Sequence, residues 1–272
     1  MRDLLNAAYA FIRRDFRVAM SYKFNFLFGL SAGFFIVMTF YFVSRMIDPR
    51  ATAAMLSRFH ADYFSFVLVG LAAAGLMQTG LTGFSDQLRG GMMEGSLEMT
   101  FSCPVRPEWV LVLPCVWAFF FETLRMVIMV AIGVAVFGAD LSRANFASFA
   151  AMLLGTITSY SVFGMLFASV IMVFKRGDVM NMAFNMASSL IAGAYFPVEL
   201  LPSWVAPVAR VLPMTYSYEG LRRSLLAGEG IAGVWPQLAV LLGFSAVGLP
   251  LAFAVANAAV GRAKRDGTLG VF

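Results

Sequence analysis

Long apolar runs separated by short polar breaks dominate the chain. A helix of about 20 predominantly apolar residues crosses the ~30 Å hydrocarbon core of a bilayer. The pattern predicts six such spans, at residues 24–44, 63–84, 110–137, 146–174, 179–196 and 235–260. We therefore expect an all-α polytopic membrane protein that forms a single transmembrane domain over residues 1–272.

Three segments outside these runs also carry a pattern. Residues 1–23 mix basic residues with apolar residues at helical spacing, which is typical of an interfacial helix. Residues 90–105 place Glu94 and Glu98 four apart among apolar residues, which predicts a short amphipathic helix that lies at the surface or docks on a partner. Residues 197–213 are too apolar for an ordinary loop and too rich in proline for a span, so they predict a pair of short re-entrant helices.

Composition agrees with a membrane protein and indicates its orientation. Over 272 residues the chain is 60% hydrophobic and 13% charged, whereas a soluble domain has about 25% charged residues. The net charge of +5 does not form one basic face, because Lys and Arg lie at the ends of apolar runs, so nucleic acid is not an expected partner. Their excess on the side of the termini and of residues 90–105 predicts that this side is cytoplasmic, in the cell (inner or plasma) membrane.

The sequence offers little for catalysis. One histidine and two cysteines favour neither a metal site nor a disulfide framework, and we expect no catalytic residues. A Walker-type phosphate loop needs a lysine preceded by glycine, but Lys23, Lys175 and Lys264 follow Tyr22, Phe174 and Ala263. We expect no cofactor on this chain, and ATP-driven transport would require a separate motor subunit.

Two sets of polar residues fall inside predicted spans. Glu122 and Arg125 lie three apart and can pair on one helix, either as a structural pair or as a contact for substrate. Asn181 and Asn185 begin a polar stripe that either holds helices together or lines a path for cargo.

Two motifs resemble a known family. The stretch MEGSLEMTFSCPVR at Met93–Arg106 resembles the E-G-T-L-E…P-V motif of the membrane (permease) subunits of type-2 ATP-binding-cassette (ABC) exporters, with Ser96 in place of the usual threonine. The stretch GAYFPVELLPSWVAPVARVLPMTYSYEGLR at Gly193–Arg222 resembles that family's motif before the last span. The resemblance extends over essentially the whole chain, with Met93 where a basic residue is common.

This resemblance implies roles for both segments. Residues 90–105 would be a coupling helix that fits a cleft on an ATPase subunit, and residues 197–213 would form re-entrant helices at the outer mouth. The residues expected to couple to the ATPase are Glu94, Gly95, Leu97, Glu98 and Pro104. The residues expected at the outer gate are Gly193, Phe196, Pro197, Leu201, Pro202 and Pro213.

The resemblance also implies an assembly of two permeases, as a homodimer, with two ABC ATPases that bind ATP and Mg²⁺. We predict an exporter permease that moves an amphipathic, lipid-like, drug-like or glycan-type substrate outward by alternating access. Two alternatives stay open. An ATP-independent secondary transporter would depend on Glu122 or Arg125, and a non-transporting membrane scaffold would bind a partner without moving cargo.

Overall fold

The computed structural model describes residues 13, 16–17, 23–48, 52, 56–93, 107–174 and 178–265. Helices account for 84% of the structure, and the described residues contain no strand. The α-helices in this part of the chain are α1 (Lys23–Met46), α2 (Tyr63–Met93), α3 (Pro107–Ala135), α4 (Phe146–Phe174), α5 (Asp178–Ile191), α6 (Ala206–Val211), α7 (Pro213–Leu225) and α8 (Ile231–Arg265). Single turns of 3-10 helix lie at Ser57–Phe59 and Val198–Leu200.

Among the described residues, four helices are long and apolar enough to cross a membrane. Their apolar stretches are Tyr63–Gly91, Cys115–Ala135, Phe146–Val173 and Ile231–Ala263, in α2, α3, α4 and α8. The apolar stretch found in α1, Gly33–Met46, is shorter. Helix α5 has 14 residues and is therefore about 21 Å long, less than the thickness of the hydrocarbon core. The all-helical fold is confirmed, and the described residues contain four candidate membrane spans, whereas the layout of six spans stays a prediction.

Helix α5 ends earlier than the apolar pattern predicts. The predicted span runs to residue 196, but the helix stops at Ile191. Gly193 has φ of +85°, a backbone conformation that favours glycine. The Ala194 N–H donates to the Ser189 carbonyl at 3.1 Å, which is the bond of a Schellman helix end. The apolar run continues past this turn, and composition alone does not reveal the stop.

The other boundaries lie near the predicted ones. Helix α4 has the predicted bounds, Phe146–Phe174. Helix α2 continues past residue 84 to Met93, because the polar residues that follow include no proline to stop it. The first residues of the predicted coupling segment therefore extend α2. Helix α8 is longer than the predicted span at both ends.

Helix α2 is the centre of the bundle. Of its apolar stretch 72% is buried within the protein, against 22% for α3 and for α8. It packs against α3 and α1, and also against α4 and α7. An alanine methyl group at Gly164 of α4 would overlap the Gly80 carbonyl oxygen of α2, so small residues let these two backbones approach closely.

Helix α7 is an element that the sequence pattern did not predict. The stretch after residue 213 is polar in composition, yet the helix buries Met214, Tyr218, Leu221 and Leu225 along one face. It lies against α4, α8 and α2. The segment 197–213 that precedes α7 contains the 3-10 turn Val198–Leu200 and the short helix α6.

Two predicted elements fall largely outside the described residues. Residues 94–105 of the coupling segment lie outside them, with all five of its predicted coupling residues. Of residues 1–23, the described Arg13, Phe16 and Arg17 have helical backbone and exposed side chains. The Phe16 ring meets the Trp117 ring of α3 edge to face, with centroids 6.0 Å apart.

Candidate functional site

A polar cleft of about 540 Å³ lies between α2 and α5. The α2 residues that line it recur at helical spacing and share one face of that helix. They are Gln78, Thr82, Asp86 and Arg89, and the α5 side is lined by Asn181, Met182, Asn185 and Met186. The α2 side of the cleft belongs to a helix that is apolar enough to span a membrane, where polar side chains are costly unless they serve packing or function.

Asn181 and Asn185 are the most informative residues of this cleft. Asn181 is buried, and its Nδ2 donates to Ser85 Oγ on α2 at 3.3 Å. Its Oδ1 accepts no hydrogen bond from the described residues, and Nδ2 of Asn185 donates none to them. Buried polar atoms are normally paired. A buried unpaired acceptor and a buried unpaired donor therefore lie one turn apart on α5.

An apolar row borders the two asparagines. Met182, Met186 and Leu190 of α5 are exposed large hydrophobic residues at four-residue spacing. Methionine side chains are flexible and fill apolar spaces of different shapes. The cleft and this row together form a surface with a polar edge and an apolar face.

The predicted pair of Glu122 and Arg125 forms on α3. The Arg125 Nη1 lies 3.7 Å from the Glu122 Oε2. The Glu122 carboxylate packs on the backbone of Gly75 in α2, where an alanine methyl group would overlap it. The Arg125 side chain lines a narrow recess between α1 and α3 with Phe34 of α1. The structure therefore separates the predicted pathway residues, because this pair lies outside the cleft that contains the two asparagines.

Most of the predicted outer-gate residues lie in and beyond the turn that ends α5. Gly193 forms this turn, Phe196 and Pro197 follow it, and Leu201 and Pro202 lie beyond the 3-10 turn. Pro213 lies apart from them along the chain, at the start of α7.

Arg222 of α7 holds this turn, and it is not among the site residues predicted from the sequence. It is 3% exposed, and its guanidinium donates to three backbone carbonyl oxygens. The acceptors are Phe66 in α2 at 3.1 Å, Gly193 at 2.7 Å and Ala194 at 2.6 Å. The guanidinium carbon also lies 3.6 Å from the centroid of the Phe66 ring. One side chain thus joins α7, the end of α5 and α2.

The charge of Arg222 is retained despite its burial. Loss of hydration lowers the pKa of Arg222 to about 9, and the nearby Tyr218 opposes this change. Because an arginine guanidinium keeps its proton in proteins, the side chain can donate all of its hydrogen bonds. A sequence signal exists, because Arg222 lies one turn after Tyr218 on the buried face of an amphipathic helix.

The fold and the cleft define a multi-pass membrane protein with a polar recess between two of its helices. A family model described as ABC-2 type transporter matches residues 6–226. The chain belongs to this family of transporter membrane domains. A search of curated proteins gives no match. The family's domain is the transmembrane component, which lacks a nucleotide-binding domain, and it implies a partner ATP-binding subunit.

Proposed function

We propose that this chain is the permease subunit of an ABC exporter that works as a homodimer with two ATPase subunits. The ATPases bind ATP and Mg²⁺, and the permease supplies the path. The chain crosses the cell membrane six times. Four crossings are α2, α3, α4 and α8, the fifth is α1, and the sixth is α5 with the residues that follow it. Both termini lie in the cytoplasm. Cargo moves outward by alternating access.

The cleft between α2 and α5 is the proposed path for cargo. The observation that supports it is the pair of unpaired amide atoms on Asn181 and Asn185, beside a free apolar row on α5. A polar group on the cargo would pair with the amides while its apolar part contacts Met182 and Met186. This favours an amphipathic cargo of lipid-like, drug-like or glycan type.

The segment 90–105 is the proposed link to the motor. Helix α2 carries the cleft residues Asp86 and Arg89 in the turns just before this segment. A force applied to Glu94 or Glu98 by the ATPase would pass directly into the helix that lines the cleft. This continuity supports the coupling role that the family motif implies for the segment.

The role of the cleft as the cargo path is tested in the complex of the permease with its ATPase. Compounds retained by the purified complex are identified by mass spectrometry and then added to an ATPase assay in lipid nanodiscs. Replacing both Asn181 and Asn185 by alanine should abolish retention of the cargo and its stimulation of ATP hydrolysis. Asn257→Ala on α8, an exposed position outside the cleft, is the matched control and should keep both. Retention equal to that of the parent protein in the double variant contradicts the proposed path.

The same preparation distinguishes the proposed function from the two alternatives, a secondary transporter and a scaffold. A secondary transporter would move the compound into proteoliposomes without the ATPase and would lose this activity in Glu122→Gln. A scaffold would bind the ATPase while no retained compound changes the rate of hydrolysis.

A further inference from the structure

The segment 195–205 lies between two attachments to the same helix, α7. At one end, Arg222 of α7 donates to the Gly193 and Ala194 carbonyl oxygens. At the other end, α6 is tied to α7 because Thr215 Oγ1 donates to the Ala209 carbonyl oxygen at 2.6 Å. We name residues 195–205 the flap. Hydrogen bonds to α7 thus hold the chain just before and just after the flap.

Helix α7 itself is fixed to the bundle. The N–H of Asn145, the residue just before α4, donates to the carbonyl oxygen of Ser224 in α7 at 2.9 Å. Ser148 Oγ donates to the Glu229 carbonyl oxygen at 2.6 Å, just beyond α7. These bonds join the C-terminal end of α7 to α4, so the flap is attached to a rigid base.

The contacts of the flap with the other elements are weaker than its attachments to α7. Arg58 Nη1 and Glu199 Oε1 form an ion pair at 2.8 Å, with both side chains well exposed. The Tyr195 ring stacks on the Phe40 ring of α1, with centroids 5.9 Å apart. Exposed ion pairs contribute little to stability, whereas hydrogen bonds from a buried charge contribute more. The middle of the flap is therefore easier to detach than either end.

Helix α2 lies so close to Ala194 and Arg222 that one added methyl group on α2 would disturb the hydrogen bond between them. At Gly70 of α2, an alanine methyl group would overlap both the Ala194 carbonyl oxygen and the Arg222 Nη2. The planar fork of the arginine side chain also matters, since its three nitrogens each donate to a different carbonyl oxygen, whereas a lysine ammonium is a single point that cannot reach all three in this arrangement.

We propose that Arg222 is a positioning residue of the transport cycle: it fixes the base of the flap, so that residues 195–205 lift and close while the end of α5 stays on α2. The flap and the polar cleft lie towards opposite ends of α2 and α5, with the Arg222 contact at Phe66 and the cleft beginning at Gln78. This inference rests on the proposed function, because a flap at the far end of a cargo path acts as its gate.

The test measures the flap directly in the permease–ATPase complex. Spin labels are attached to Met46→Cys at the end of α1 and Leu200→Cys on the flap, both exposed positions, in a chain with Cys103→Ser and the buried Cys115 retained. Pulsed electron resonance gives the distance between labels without nucleotide and with ATP plus vanadate. The variants are Arg222→Lys and Gly70→Ala. Arg223→Lys is the matched control, because that neighbouring side chain pairs with Glu219 instead.

The complex is assembled with one labelled and one unlabelled permease copy, so that only one pair of labels is present. In the parent complex and in Arg223→Lys, we expect one narrow distance without nucleotide and a shift to a second distance with ATP and vanadate. In Arg222→Lys and Gly70→Ala, we expect a broad distribution in both conditions and loss of the shift. Parental distances in both variants would overturn the role of Arg222. If Arg222→Lys does not accumulate in the membrane, Gly70→Ala decides the question.

The result also separates this inference from the proposed function. A parent complex that shows no response to nucleotide contradicts an ATP-driven cycle and the gating role with it. Even then, the widths of the distance distributions measured without nucleotide, compared between the parent and the Arg222→Lys variant, decide whether Arg222 fixes the flap. A broad distribution in Arg222→Lys that keeps a full shift with ATP and vanadate would overturn the role in the cycle.

Discussion

Gly80 of α2 packs directly on Tyr160 of α4. An alanine methyl group at Gly80 would stand 2.5 Å from the Tyr160 Cβ, and Tyr160 is fully buried. The backbone of α2 at Gly80 therefore packs against the Tyr160 side chain of α4, and the contact has no space for one more carbon atom. This contact lies in the interior of the central helix.

The first prediction is that Gly80→Ala destabilises the fold. Overpacking of a buried contact typically costs about 1–3 kcal/mol. Gly83→Ala is the matched control on the same helix, since its methyl group would meet only Thr79 at an ordinary 3.7 Å. The control should be neutral or slightly stabilising, because alanine favours a helix over glycine by ~1 kcal/mol. Unfolding of both variants in detergent gives the comparison, and equal stability would contradict the packing.

The second prediction compares two kinds of contact at the flap. Arg222→Met should lower the free energy of unfolding by about 3 kcal/mol, because three carbonyl oxygens lose a charged donor. Glu199→Gln should lower it by less than about 1 kcal/mol, since its partner Arg58 is exposed. Thermal unfolding in one detergent ranks them, and similar losses in both variants would refute the assignment of Arg222 as the stronger contact.

The third prediction concerns docking of the ATPase. Glu98→Arg reverses a charge in the segment 90–105, and it should reduce co-purification of the ATPase about tenfold, which corresponds to ~1.4 kcal/mol. Glu199→Arg is the control, because it reverses a charge on the flap, which we place on the opposite side of the membrane. Normal recovery of the ATPase and a normal rate of hydrolysis with Glu98→Arg would show that the segment does not dock.

The fourth prediction concerns orientation. In intact cells a membrane-impermeant maleimide should label Met46→Cys and Ser203→Cys, but it should label Arg265→Cys only after the membrane is opened. All three positions are exposed in the structure. The expectation follows from the excess of Lys and Arg on the side of the termini. The opposite labelling pattern would invert the topology.

The sequence predicts a helical boundary well where a local signal marks it. Helix α4 has its predicted bounds, because a polar loop precedes Phe146 and charged residues follow Phe174. The end of α5 has a weaker local signal. Its apolar run continues beyond the glycine turn, and the turn is held by an arginine 29 residues further along the chain.

The candidate site, too, can be predicted only in part from the sequence. Helical spacing was sufficient to place Asn181 and Asn185 on one face, and they line one cleft. The facing residues of α2, such as Gln78 and Asp86, have the same spacing but were not singled out, because only the packed bundle shows that α2 faces α5. The contacts of Arg222 were not predictable for a related reason. One of its acceptors belongs to Phe66, 156 positions away, and no local pattern carries that information.

The reach of Arg222 has a consequence for biosynthesis. Helices α1 to α5 are synthesised before residue 222, so early in synthesis the N-terminal end of α2 and the C-terminal end of α5 lack the side chain that joins them. The contact that joins these earlier segments therefore forms only after α7 has been made, and a chain truncated before this arginine would lack it.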